Sequence, residues 1–172
     1  MGKRSNFRHR KHDAYQTPPV AVRPVLPHLV AMGIRTFTEP CVGEGRLLCT
    51  LIEFGFECVL IGDIQTGQDA LTDPAVAECG ANAVITNPPW SRPLLHAMIL
   101  RFMECAPVVW LLFDADWSHT KQARPFLSQC SHIVSVGRVK WIEDSKHSGK
   151  DNAAWYCFQK LHTGGPKFYN TA

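Results

Sequence analysis

Thr36-Phe-Thr-Glu-Pro-Cys-Val-Gly-Glu-Gly-Arg-Leu-Leu-Cys-Thr-Leu-Ile-Glu-Phe54 decides the fold. Thr36 to Glu39 reads as a strand that ends at Pro40, where ladder donation fails. Gly43 and Gly45 then open a helix, and Gly55 is placed to stop it. A strand that passes through a glycine turn into a helix lets backbone approach a ligand closely and leaves helix amides facing it. That is a nucleotide-type pocket. A dinucleotide fingerprint needs a small residue at position 48, where Leu48 stands, so the two glycines alone also fit a plain tight turn.

Outward from this junction the pattern repeats. Cys58-Val-Leu-Ile-Gly-Asp63 is a short buried strand, Ala83-Val-Ile-Thr86 another, and Val108-Val-Trp-Leu-Leu-Phe113 a fully apolar run of the central parallel kind. Helices are expected over 73–78, 94–103 and 121–130. The segment from Tyr15 to Val30 is proline-rich and then apolar, as a loop feeding a short helix. His132 to Ile142 and Ala153 to Gln159 are β-rich runs joined by a loop over 143–152, a terminal hairpin. Strands alternating with helices predict an α/β sandwich, its sheet parallel except at the final strand.

At 172 residues and 45% hydrophobic content, the chain is the size of one domain. It divides into a basic arm over 1–14, a catalytic-sized unit over 15–162 and a tail over 163–172. No apolar run reaches the roughly 20 residues of a membrane span, so a soluble, cytoplasmic protein is expected. Seven cysteines without a C-x-x-C spacing predict neither a disulfide framework nor a zinc site. Five of the 18 basic residues (Lys3, Arg4, Arg8, Arg10, Lys11) fall in the first twelve positions. The other 13 face 15 acids, a net of −2. Such an arm suits a phosphate backbone, and equally a solubilising tail.

Two constellations carry chemistry. Asp63 lies 18 residues beyond Gly45, the usual distance for an acid that chelates the two hydroxyls of a ribose; a turn residue beside Gly62 is the plainer alternative. Asn87-Pro-Pro-Trp90 is more specific. Two prolines directly after a buried strand end the sheet at its ligand-facing edge. They present an Asn amide oxygen and the Pro88 carbonyl as acceptors, with an aromatic ring two residues on. A planar exocyclic amine is a poor nucleophile because its lone pair is delocalised. Two acceptors gripping its hydrogens favour the pyramidal, nucleophilic form. A sulfonium methyl donor completes that chemistry without a metal.

Glu39-Pro-Cys-Val-Gly-Glu-Gly45 followed by Asn87-Pro-Pro-Trp90 resembles the paired signature of amino-methyltransferases, above all small phage and prophage DNA N6-adenine methyltransferases. Asp13-Ala-Tyr-Gln-Thr-Pro-Pro resembles that family's segment before the first strand, Gly67-Gln-Asp-Ala-Leu71 its acidic motif, and Gly149 to Phe158 its final hairpin. The resemblance covers residues 13 to 160. It implies a Rossmann-like class I methyltransferase with a mostly parallel seven-stranded sheet, an antiparallel last strand and helices on both faces.

It further implies S-adenosylmethionine held by Tyr15, Thr17, Pro18, Glu39, Cys41, Gly43, Gly45, Asp63, Ile64, Asp69, Ala70 and Asn87. Tyr15, Thr17 and Pro18 close over the methionine end, and Asp69 meets the adenine amine. Asn87, Pro88, Pro89 and Trp90 form the catalytic motif, with Trp90 stacking on an adenine flipped from the duplex or offered single-stranded. DNA contacts fall to Lys3, Arg4, Arg8, Arg10, Lys11, Lys146 and Lys150, and to the loops over 117–124 and 143–152.

The chain departs from sequence-specific members in having no length left for a target-recognition region. A monomer or a homodimer would serve. The motif does not separate adenine N6 from cytosine N4, an RNA base or a protein glutamine, and a non-catalytic binding module or a nicotinamide enzyme remains a rival. Trp110 and Trp155 read as core, Trp117 and Trp141 as core or site, and Asp114 and Asp116 as ligand edge or solvated turn.

Overall fold

The computed structural model describes residues 16–141, 149 and 151–170. Seven strands form one sheet: β1 Thr36–Glu39, β2 Glu57–Ile61, β3 Ala83–Thr86, β4 Val108–Asp114, β5 Cys130–Arg138, β6 Asn152–Phe158 and β7 Lys167–Tyr169. Their order is β2-β1-β3-β4-β6-β5-β7. The first four run parallel, β6 is antiparallel to both β4 and β5, and β7 returns parallel to β5. The expected mostly parallel, seven-stranded sheet is therefore present, with the run from Ala153 as its antiparallel member. That member is the last but one in sequence. The segment 163–172, expected as a tail, supplies β7, whose three residues register on His132, Ile133 and Val134. Three residues are too few to show a period of two.

Helices cover both faces. α1 Pro19–Val22, α2 Leu26–Ala31 and α3 Arg46–Glu53 pack on one side, and α4 Ala75–Glu78, α5 Arg92–Cys105 and α6 Arg124–Leu127 on the other. The strand period of two divides the core accordingly. In β4, Val109, Leu111 and Phe113 face the side of α5, while Trp110 and Leu112 face the side of α1, α2 and α3. α5 buries Leu95, Met98, Ile99, Phe102 and Met103 at helical spacing. Each such side chain contributes about 1.5–3 kcal/mol of burial.

Local chemistry sets the boundaries. Ser91 is extended before α5, Pro93 sits in its first turn, and Ala106, extended ahead of Pro107, ends it. α3 begins after Gly45 at φ +79° and stops at Gly55 at φ +87°. The helix expected over 121–130 shortens to a 3-10 turn at Lys121–Ala123 followed by the single turn of α6. Cys130 is drawn off it because it pairs with Phe158 as the first residue of β5.

The crossover through α3 lies on one face and that through α5 on the other. The chain changes sides between β1 and β3, and an open parallel sheet offers a crevice at the carboxyl ends of such neighbours.

Candidate active site

A cavity of about 500 Å³ occupies that crevice. β1 delivers Glu39, Pro40 and Cys41, the glycine turn brings Val42 and Gly43, and the end of β2 brings Asp63, Ile64 and Gln65. Asp69 and Ala70 follow on the next loop, and β3 leads into Asn87 and Pro89.

Asp63 fastens this loop system. One carboxylate oxygen accepts the Gly43 amide at 2.8 Å and the other the Gln65 amide at 2.8 Å. Each oxygen has a further lone pair for a ligand hydroxyl. Gln16 clamps the same turn from the opposite side, accepting from the Glu44 amide at 3.0 Å. Gly43 is required there, because its φ is +54° and a Cβ would stand 2.8 Å from Gln16 Nε2. Asp69 turns its loop by accepting from the Leu71 amide at 2.9 Å.

Glu39 is the anomaly. It is 1% exposed and belongs to the cavity wall, and its Oε2 has no hydrogen-bond partner among the described residues. Burial holds its pKa well above the ordinary carboxylate value, against the Leu48 amide, and the nearby Asp63 charge adds to the rise. Burial and the surrounding carboxylates Asp63, Glu39 and Asp69 also push the Cys41 thiol up to about 12, so it stays protonated. No lysine or arginine among the described residues lines the cavity. Three carboxyl groups without a base suit a cationic ligand and oppose a pyrophosphate.

The Asn87 side chain is held at both ends. Its Nδ2 donates to Thr17 Oγ1 at 3.1 Å, and its Oδ1 accepts from the Trp90 indole N–H at 3.0 Å. Beyond the cavity rim, Arg92 pairs with Asp114 at 2.7 Å, and Asp114 also accepts from the Asp116 amide.

No family model matches the sequence, and no curated protein matches it. Among solved structures the chain is similar to a Pyrococcus horikoshii protein described as an RNA methyltransferase. The TM-score is 0.68 at 17% identity, over 92% of this chain and 93% of that one. It is also similar to a Thermoplasma acidophilum protein (TM-score 0.53, 15% identity, 81% of this chain and 85% of that one). The M protein of the type I restriction enzyme EcoKI matches at TM-score 0.54 and 9% identity, over 92% of this chain but 48% of its own. The fold is that of class I methyltransferases.

On this methyltransferase fold the structure gathers Thr17, Glu39, Cys41, Gly43, Asp63, Ile64, Asp69, Ala70, Asn87 and Pro89 around one cavity. Pro18, Gly45, Pro88 and Trp90 are not in its wall. Gly45 sets the start of α3, Pro88 is buried, and Trp90 lies behind Asn87. Tyr15, the basic residues Lys3, Arg4, Arg8, Arg10 and Lys11, and Lys146 and Lys150 lie outside the described residues. Sequence reasoning missed Gln16, Leu94 and Met98 in the wall. Gln16 stood between Tyr15 and Thr17, and Leu94 and Met98 share one face of α5 at a spacing of four. Trp117, read as core or site, is fully buried. Among the described residues no helix is long and apolar enough to cross a membrane.

Proposed function

We propose that this chain transfers a methyl group from S-adenosylmethionine to an exocyclic nucleobase amine, with adenine N6 in DNA as the leading target. One observation carries the reading. The acceptor-bearing turn at Asn87 opens into the same acidic cavity as the glycine turn, Asp63 and the Glu39 carboxyl, whose Oε2 has no partner among the described residues.

The residues fit that cofactor. The volume lies within the roughly 300–1,000 Å³ of small-molecule sites. An ammonium group would satisfy Glu39 Oε2, and a ribose would share Asp63 with the Gly43 and Gln65 amides. When bound, S-adenosylmethionine supplies an electrophilic methyl on a positive sulfonium.

The protein's task is then orientation. Asn87 Oδ1 would accept an amine hydrogen, with the carbonyl of Pro88, a residue outside the cavity wall, as the second acceptor that the resemblance implies, and so turn the nitrogen lone pair toward the methyl carbon. As the N–CH3 bond forms and the S–CH3 bond breaks, the nitrogen gains positive charge, which the same acceptors stabilise. The surplus proton passes to solvent. No base of shifted pKa is required of the chain before attack.

An RNA base is the second reading, favoured by one observation. The similarity to the protein described as an RNA methyltransferase runs over nearly the whole of both chains, whereas the EcoKI M protein has a further half that this chain does not span. One experiment tests both. Nucleoside mass spectrometry is run on separated DNA and RNA from a methylation-deficient bacterium expressing the parent or Asn87→Ala. N6-methyladenine in DNA from the parent alone supports the first reading, and a methylated base confined to RNA supports the second. No new methylated base in either pool sinks both.

A further inference from the structure

We infer that Trp90 is a positioning residue, which acts through its indole N–H by fixing the orientation of the Asn87 carboxamide, with Trp141 as its brace. The inference rests on the proposed amine methyl transfer. It replaces a stacking role for the Trp90 ring with a hydrogen-bonding one.

The hydrogen bonds of Asn87 to Thr17 and to Trp90 are not equivalent. Thr17 Oγ1, which accepts from Nδ2, is a hydroxyl and would serve equally as a donor if the amide turned over. Trp90 Nε1 only donates. Rotation of the amide by half a turn would set its NH2 against the indole N–H, now 3.0 Å from Oδ1. Of these two partners only the indole distinguishes the oxygen end of Asn87 from the nitrogen end, and the proposed chemistry needs an acceptor there.

The ring of Trp90 is committed elsewhere. It is half-buried, absent from the cavity wall, and packed against the cores on both faces of the sheet. Trp141 meets it edge-on, with centroids 5.6 Å apart and planes at 85°. Trp141 is backed in turn by Gly149, whose amide donates to the Val139 carbonyl at 2.8 Å. A Cβ on Gly149 would stand 3.0 Å from that carbonyl and 3.2 Å from Trp141 Cδ1, so a side chain there would press on both. Gly149, Trp141, Trp90, Asn87 and Thr17 form one supported line.

The test separates N–H from ring. Trp90→Phe keeps an aromatic surface and lacks the donor, and Trp90→Leu lacks both. Positioning predicts that Trp90→Phe lowers kcat on the order of ten-fold or more, the usual cost of a lost buried hydrogen bond, with KM for nucleic acid and affinity for S-adenosylhomocysteine near parental. Trp90→Leu should have little further effect on KM. A stacking role predicts near-parental kcat in Trp90→Phe and a raised KM in Trp90→Leu.

The second readout needs neither turnover nor a folded variant at position 90. With ¹⁵N-labelled tryptophan, the Trp90 indole proton of the parent should exchange slowly with water, and its signal should move in Asn87→Ala. An indole proton exchanging at the free rate overturns the inference. An inactive parent sinks the functional reading and with it the kinetic role of Trp90, whereas an active parent with an equally active Trp90→Phe sinks this inference alone.

Discussion

Two groups of buried polar atoms lie on the same sheet and are treated in opposite ways. Beneath α5 and α6, Phe113, Trp117, Phe126, Tyr156 and Phe158 pack ring on ring, with Phe113 and Tyr156 stacked at 4.1 Å. Each polar atom there is answered. Trp117 Nε1 donates to His96 Nε2 at 3.0 Å, and the single Tyr156 hydroxyl proton is shared between the carbonyls of Asp114 and Ala115, 3.1 and 3.0 Å from Oη. At the carboxyl end of β1, Glu39 Oε2 is buried with no answer among the described residues. An unmet polar atom costs about 1–3 kcal/mol, so each one calls for a physical reason. Trp110 Nε1 also has no partner among the described residues, but it lies among the rings of His28 and His132 and outside the wall of the cavity described above. Lack of a partner together with open volume marks the site; lack of a partner alone does not.

The difference can be broken in four ways. Removing Trp117 from the closed cluster should have the largest effect. Trp117→Ala is expected to cost about 3–5 kcal/mol in urea unfolding, and a stability loss below about 1 kcal/mol would show that this cluster is not a packed core. Next comes Tyr156→Phe, expected to lose about 1–2 kcal/mol by the same assay with S-adenosylhomocysteine affinity unchanged. A loss of affinity without a loss of stability would place Tyr156 in the site instead.

Glu39→Gln reverses the sign. Relieving the buried carboxyl should raise the stability of the ligand-free protein by about 1 kcal/mol while weakening S-adenosylhomocysteine about ten-fold in calorimetric titration. A destabilised Glu39→Gln protein with parental affinity would make Glu39 part of the framework. The smallest effect is in pH. His96 is held below its ordinary value of 6.5 by burial and by Arg92, while burial lowers His28 and His132, the latter also by the charges of His28, His162 and Lys167. All three favour the neutral ring when folded. Their contribution is complete above pH 6.5 and is lost as pH falls below it through the folded values. The urea midpoint should therefore be lower at pH 5.5 than at pH 7.5, with part of the difference removed in His96→Gln; equal midpoints would refute it.

Much of this was legible where one short stretch carries its own chemistry. Pro40 and the Pro88-Pro89 pair announce strand ends whatever surrounds them, and Gly43 and Gly45 announce a turn. These fix the cavity's place in the sheet. Residues that reach the cavity from other elements were not legible in the same way: Gln16 matters because the folded chain sets it against Gly43, and Leu94 and Met98 because α5 starts at Arg92. Trp117 read as core or site because 3-10 turns at Ala115–His119 and Lys121–Ala123 have no apolar period. Only packing on His96 and Tyr156 distinguishes it from an exposed loop residue. The Trp90 indole is a further case, since a ring is visible in sequence but the direction of its N–H is not.

The placement of β6 between β4 and β5 has a consequence for how the protein is made. The central strand β4 waits along one whole edge for residues 152–158, which a ribosome delivers after β5 and every helix named above. Until then β4 and β5 both present unpaired backbone to any other strand. The nascent chain therefore passes through a sticky interval that ends when one seven-residue segment threads between two others.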